Sequence, residues 1–177
     1  LPVTIVLAAA LLVHMALGLY KIAERKTFKL PPWEMTQLAF GVLIPFLLLP
    51  HIVNTRIARN SFGVEDSYLY ELSRLWPSSA ILQSTLLLLV WIHGCIGIHF
   101  WLRLYSPYRA LLPVLLTIAI VIPLAALAGF MTSGRAVAQL IEDPAMLARV
   151  KELTHWPNEA NNVRLGELRG MARYAFA

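Results

Sequence analysis

The 177-residue chain is 58% hydrophobic and only 14% charged, whereas soluble domains carry about 25% charged residues. This composition excludes an ordinary soluble domain and indicates a membrane protein. Basic residues that flank the apolar segments account for the net charge of +5, so no nucleic-acid partner is needed to explain it. The single cysteine, Cys95, excludes an internal disulfide, a cysteine-based zinc site and c-type haem attachment.

Four apolar segments are long enough to cross the hydrocarbon core of a bilayer, which takes about 20 residues. We expect membrane-spanning helices over roughly 1–21, 34–57, 80–104 and 109–132. The first segment is too long for the core of a signal peptide and lacks a basic region before it. We therefore interpret it as a true span in an excerpt from a longer protein.

The hydropathy falls after Gly134, where a different kind of segment begins. Gln139–Tyr174 is predicted to form one or two amphipathic helices, with a helix start at Asp143-Pro144 and a break at Trp156-Pro157. The predicted fold is an all-α membrane protein. It has a transmembrane helical bundle over 1–134 and an amphipathic, mainly helical extramembrane segment over 135–177.

Basic residues predict the orientation of this bundle. Lys and Arg concentrate in cytoplasmic loops. The first link and the ends of the third carry them: Lys21, Arg25, Lys26, Lys29, Arg103 and Arg109. We expect these two links to be cytoplasmic, and the second link and the C-terminal segment to lie outside.

Two histidines lie inside apolar runs, and each is followed four residues later by glycine: His14 by Gly18 and His93 by Gly97. An ionisable residue within a membrane is a functional candidate, because its burial in hydrocarbon is costly. A glycine at i+4 lies on the same helix face and leaves room beside the imidazole. His14 and His93 lie roughly 10 and 15 Å from the same membrane face. The pair therefore predicts one bis-histidine b-type haem site.

His51 and His99 are further candidate haem or metal ligands. His51 lies near the opposite membrane face, where axial ligation and an interhelical hydrogen bond are even alternatives. His99 lies roughly 120° around the helix from His93, so these two cannot hold one iron together. For His99, a contact with a haem propionate or a quinone is as good an interpretation as ligation.

Each of these residues also has a purely structural interpretation. Membrane histidines often bond to a neighbouring helix, and small residues let helices approach closely. Gly41 is assigned to such packing. His155, in the polar C-terminal segment, is expected to be an ordinary surface histidine.

A family resemblance adds to these predictions. The run His-Gly-Cys-Ile-Gly-Ile-His-Phe-Trp-Leu from His93 to Leu102 resembles the His-x-x-x-Gly-x-Arg-His segment of succinate dehydrogenase cytochrome b anchor subunits. In that family the first histidine is an axial haem ligand, a role that the resemblance implies for His93. This chain differs at the arginine position, where it carries His99.

The chain more closely resembles the membrane anchor fused to some bacterial class III adenylate cyclases, over residues 10–135. The resembling stretches begin at His14, Leu30, Phe62 and Trp91. That family has six spans, binds one or two b-type haems and is thought to let quinone redox state regulate a cytoplasmic cyclase. The resemblance implies a multi-pass protein of the bacterial inner membrane, one further span on each side of this excerpt, and a homodimer formed through the attached cyclase domain.

Three functions follow as hypotheses. The leading one is a haem-b anchor that senses quinone redox state and regulates an attached adenylate cyclase. In that case the lyase chemistry belongs to the attached domain, because these residues contain no catalytic motif. The second is the cytochrome b membrane subunit of a quinone oxidoreductase of the succinate dehydrogenase or fumarate reductase type, which transfers electrons. The third is a haem-free structural anchor or transporter bundle.

Overall fold

The computed structural model describes residues 2–174, and every regular element in that range is a helix. The α-helices are α1 Pro2–Ala23, α2 Pro32–Ile52, α3 Ala58–Phe62, α4 Tyr68–Leu75, α5 Ala80–Leu102, α6 Tyr108–Ile141, α7 Pro144–Leu153 and α8 Glu159–Tyr174. A π-helical turn over Val53–Ile57 joins α2 to α3.

Four helical stretches in this range are long and apolar enough to cross a membrane: Val3–Ala23, Pro32–Phe62, Ala80–Leu102 and Tyr108–Ile141. The prediction of an all-helical protein with four candidate spans is confirmed. The fourth helix, however, continues well past its predicted end near residue 132. Nothing stops it until Asp143, whose carboxylate accepts a hydrogen bond from the backbone N–H of Ala145 at 2.9 Å and caps α7.

Proline shapes α6, and a neighbouring helix compensates for it. Pro123 has no N–H, so the carbonyl of Ala119 loses its partner within the helix. The indole Nε1 of Trp91 in α5 donates a hydrogen bond to that carbonyl at 2.8 Å. In a bilayer such freed carbonyls must be satisfied by protein, so this bond ties α5 to α6.

The end of α2 is irregular for a related reason. Pro45 and Pro50 lie inside this helix, and the π-helical turn follows directly. The Thr55 hydroxyl donates to the carbonyl of His51 at 2.8 Å within that turn. Isolated π-helical turns are rare and often occur near functional sites. Here the turn begins directly after His51 and Ile52 and forms part of the end of the second span.

A small packed region covers one end of the bundle, and we call it the cap. Its core consists of buried side chains from distant parts of the chain: Val53, Ala58, Val64, Tyr70 and Leu165. Trp156 packs against this core, with its ring centroid 5.4 Å from that of Tyr70. Arg74 lies over the Trp156 ring and donates to Asn162 at 3.0 Å. The cap therefore joins the second link to α8, and α4 within that link was not predicted.

Helix α1 is packed much less closely than the cap. Among Val3–Ala23, only Met15 and Ile22 are even partly buried. An ion pair between Arg25 and Glu34, at 3.3 Å, spans the link that follows α1. Helix α1 is thus an apolar helix with nearly all of its surface exposed, as suits contact with lipid.

Candidate functional site: a histidine pair between α1 and α5

The structure brings together the two histidines that the glycine spacing singled out. His14 projects from α1 and His93 from α5, and their ring centroids lie 6.0 Å apart with ring planes at 89°. The His14 side chain is exposed and that of His93 is half-buried. Two nitrogen-rich rings on separate helices therefore face a common space between α1 and α5.

Helix α2 forms the back of this site. A methyl group at position 41 would lie 3.1 Å from Cε1 and 3.7 Å from Nδ1 of His93, so only glycine leaves the ring its full room. The Nδ1 atom is buried and has no hydrogen-bond partner within the described residues. Gly41 therefore lies at a close contact between α2 and α5, as its assignment to helix packing expected, and the group that it contacts is the candidate ligand itself.

The two glycines at i+4 have different surroundings. A methyl group at Gly97 would come within 3.3 Å of Nε2 of Gln37, so Gly97 lies at the contact between α5 and α2. A methyl group at Gly18 would meet no heavy atom within 4 Å. Of the pair, Gly18 is the residue that borders open space on the histidine side of α1.

His99 lies elsewhere on α5 and has its own partner. Its Nδ1 is 2.7 Å from the hydroxyl of Tyr108, a buried residue at the start of α6. Its ring also lies 5.9 Å from that of Phe100, over which Arg103 is placed. His99 thus fixes the tight turn between α5 and α6, which leaves one ring nitrogen for any other contact.

His51 lies at the other end of the bundle, beside α4. It lines a cavity between α2, α4, α5 and α6 together with Glu71, and neither histidine of the α1–α5 pair lines that cavity. His155 is exposed and follows α7, with its backbone N–H donating to the carbonyl of Glu152 at 3.2 Å. Of the four candidate ligands, the structure pairs His14 with His93 and leaves His51 and His99 separate.

The described part of the chain contains no site at which protein side chains alone could hold a metal ion with three or more ligands. Residues 2–174 contain no group of three or more His, Cys, Asp or Glu side chains placed to hold a metal ion. The two imidazoles of His14 and His93 form a different kind of ligand set. A b-type haem can use such a set, because its porphyrin supplies four nitrogens and leaves one or two axial positions for protein ligands.

Sequence reasoning missed the contribution of α2 to this site. Gln37 and Gly41 lie four residues apart on one helix face, opposite Gly97 and His93 respectively. The carboxamide Oε1 of Gln37 is buried and has no partner within the described range. A polar residue one turn before a glycine in an apolar span was the signal that could have indicated this face.

Comparisons with known proteins add no family assignment. No protein-family model, no curated protein and no solved structure matches the chain.

Proposed function

We propose that this chain is a b-type haem-binding membrane anchor that senses quinone or redox state and regulates an attached adenylate cyclase, in a multi-pass protein of the bacterial inner membrane. The observation that carries the proposal is the placement of His14 and His93, with ring centroids 6.0 Å apart on two different helices. A haem held between these rings would take one nitrogen from each imidazole, which is the ligand set of a bis-histidine b-type site.

The surroundings of the pair also fit a flat macrocycle. The open space beside Gly18 lies one helical turn from His14. Gly41 supports the His93 ring from behind, on the α2 side. We infer that His14 and His93 are the axial ligands of one haem and that Gly18 leaves clearance for its edge.

The chemistry implied is electron exchange. A b-type haem with two histidine ligands has no open coordination position, so it supplies one-electron transfer rather than oxygen binding. A haem held by His14 and His93 would change its charge by one unit on oxidation or reduction, in a medium of low dielectric constant where Coulomb energies are large. Helix α1 carries one of the two ligands and has little other packing. We therefore expect its position relative to α5 to change when the oxidation state of the haem changes.

A second haem would involve a different ligand set. His51 is separate from the α1–α5 pair, and within residues 2–174 it shares its cavity with no other histidine. We propose that a partner for it, if this protein binds two haems, comes from the further span that the resemblance implies before Leu1. In this proposal the attached cyclase, its homodimer contacts and the sixth span would likewise be supplied by sequence outside these 177 residues.

The test of haem binding is a difference spectrum. The chain is expressed with haem supply, purified in detergent and measured reduced minus oxidised, with total haem quantified as its pyridine adduct. We expect a reducible α-band and about one haem per chain. Two haems per chain would contradict the assignment of one site to these residues, and a featureless spectrum would favour the haem-free anchor.

A second measurement separates the cyclase anchor from the cytochrome b subunit of a quinone oxidoreductase. Both share the bis-histidine site, so the spectrum cannot discriminate between them. In the full-length protein, cyclic AMP production should change when a quinone pool in the same membrane is shifted between oxidised and reduced forms. Quinone reduction by succinate with no cyclic AMP production would identify the oxidoreductase subunit instead.

A further inference from the structure

A cavity of about 330 Å³ lies where the end of α2, α4, the start of α5 and the middle of α6 meet. This volume is at the lower end of the range of small-molecule sites, which are mostly apolar with a few placed polar groups. Its apolar walls include Leu72, Leu87 and Phe130. The polar groups are His51, Glu71, Gln83 and Ser84.

Two of these polar groups have unmet hydrogen-bonding capacity. Oε1 of Glu71 and Oγ of Ser84 are buried, and neither has a partner among the described residues. Buried polar atoms are normally paired, and these two come from different helices, α4 and α5. They face the same cavity, so one bound molecule can reach both.

The charges around the cavity indicate which kind of molecule fits. Among the described residues no lysine or arginine lines it, so an anionic ligand would lack a counter-charge. Burial and the nearby Asp66 raise the pKa of Glu71 to about 7, while Arg169 and Arg74 act in the opposite direction from outside the cavity. The carboxyl group thus already has two positive neighbours, and what its free oxygen lacks is a hydrogen-bond donor.

We propose that this cavity binds an uncharged small molecule with an apolar ring body and a hydroxyl group, which donates to Glu71 Oε1 and accepts from the Ser84 hydroxyl. The apolar walls hold the ring, and His51 and Gln83 offer further hydrogen bonds to its edge. The rim includes Tyr68, whose side chain is 58% exposed, and the exposed Ala126. A molecule dissolved in the bilayer therefore has a route in. Neither His14 nor His93 lines this cavity, so the site is separate from the haem site proposed between α1 and α5.

The experiment uses three ring compounds of similar size and the purified chain in phosphatidylcholine nanodiscs, with empty nanodiscs subtracted. The compounds are 2-naphthol, its methyl ether 2-methoxynaphthalene, which cannot donate, and 2-naphthylmethylamine, which is a cation at neutral pH. We expect saturable binding of 2-naphthol, at least tenfold weaker binding of the ether and no gain from the positive charge of the amine.

Variants locate the site. Ala126→Phe fills the cavity and should abolish 2-naphthol binding, whereas Ala128→Phe, on the same helix but outside the lining, should leave it unchanged. Ser84→Ala and Glu71→Ala should each weaken binding about fivefold or more, because each removes one hydrogen-bond partner. Glu71→Gln keeps an acceptor oxygen and should stay within about threefold. Thr85→Ala is the neutral control for Ser84→Ala.

Three results would overturn the proposal. Equal binding of 2-naphthol and its ether would show that the hydroxyl group finds no partner. Tighter binding of the amine, lost in Glu71→Gln, would show a cation site instead. Absence of saturable binding for all three compounds in the wild-type chain, with its helical circular dichroism intact, would show that the cavity holds only water.

Discussion

The cap and the histidine pair are built in opposite ways. In the cap, side chains from distant parts of the sequence close over one another, and Leu165 is completely buried. At the histidine pair, one helix is nearly free of packing, and the described contact that reaches across from α1 is between imidazole rings. The part of the molecule that is best packed is thus not the part that carries the candidate chemistry.

This difference indicates what each region does for the protein. The cap holds α2, α4 and α8 in place through ordinary burial of apolar surface, so it supplies stability. The histidine pair has little such burial, so a ligand held by both rings would itself provide much of the attachment of α1. Anything that binds only the assembled form stabilises it. The following predictions test this division.

The largest effect is expected at the histidine pair. His14→Ala or His93→Ala removes one axial ligand, so either change should abolish the haem absorbance while helical circular dichroism and membrane insertion persist. His155→Asn, at an exposed histidine, is the control and should keep the full spectrum. Unchanged haem content in both alanine variants would refute the pairing.

The second effect is expected in the cap and should spare the haem. Leu165→Ala leaves a cavity in a fully buried site, and such changes typically cost about 2–5 kcal/mol. We expect a lower thermal unfolding midpoint and faster proteolysis within α8, with the haem-to-protein ratio unchanged. Leu153→Ala, at a side chain that is 58% exposed, should change neither. A parallel loss of haem in Leu165→Ala would show that the two regions are not separable.

Substitutions of glycine test whether the open space beside the His14 and His93 imidazoles is needed for haem binding. Gly41→Leu collides with the His93 imidazole, and Gly18→Leu fills the space proposed for the haem edge. Both should reduce haem occupancy severalfold in a titration of the apo form. Gly129→Leu, at a membrane glycine that also has no neighbour within 4 Å, is the matched control. Equal losses at all three positions would indicate general disturbance of helix insertion.

The smallest effect is a pH dependence confined to the cap end. Burial raises the pKa of Glu71 from 4.5 to about 7, so the folded state holds a proton more tightly than the unfolded state. The stability of the folded state that depends on protonated Glu71 is fully present below about pH 4.5 and is lost as the pH rises through 7. The difference in unfolding midpoint between wild type and Glu71→Gln should therefore change over that interval and level off above it. Glu159→Gln, at an exposed glutamate, should show no such change.

Much of the fold follows from the sequence because the strongest signals are local. Apolar runs of about 20 residues predict spans, and the break at Trp156-Pro157 separates α7 from α8 as expected. Similar depth and the same glycine spacing also predicted that His14 and His93 would be neighbours, which is how the structure places them.

The parts that could not be predicted depend on non-local packing. Helix α2 has little amphipathic pattern, so apart from the polar Gln37 one turn earlier no local signal indicates that Gly41 turns toward His93. The cap core depends on Leu165 meeting Val53 across more than 100 residues of sequence, which no local pattern encodes. Helix α4 is different, because its short sequence is strongly amphipathic and its buried residues, Tyr70 and Leu72, lie on the apolar face, so a local signal was present that the sequence prediction did not use.

The sparse packing of α1 has a consequence for the order of assembly. Membrane helices insert first and associate afterwards, and α1 is synthesised well before its partner ring. About 80 residues separate His14 from His93, which at roughly 5–20 residues per second corresponds to about 4–16 s of synthesis. During that interval His14 has no partner ring, so the histidine pair closes only when α5 has arrived.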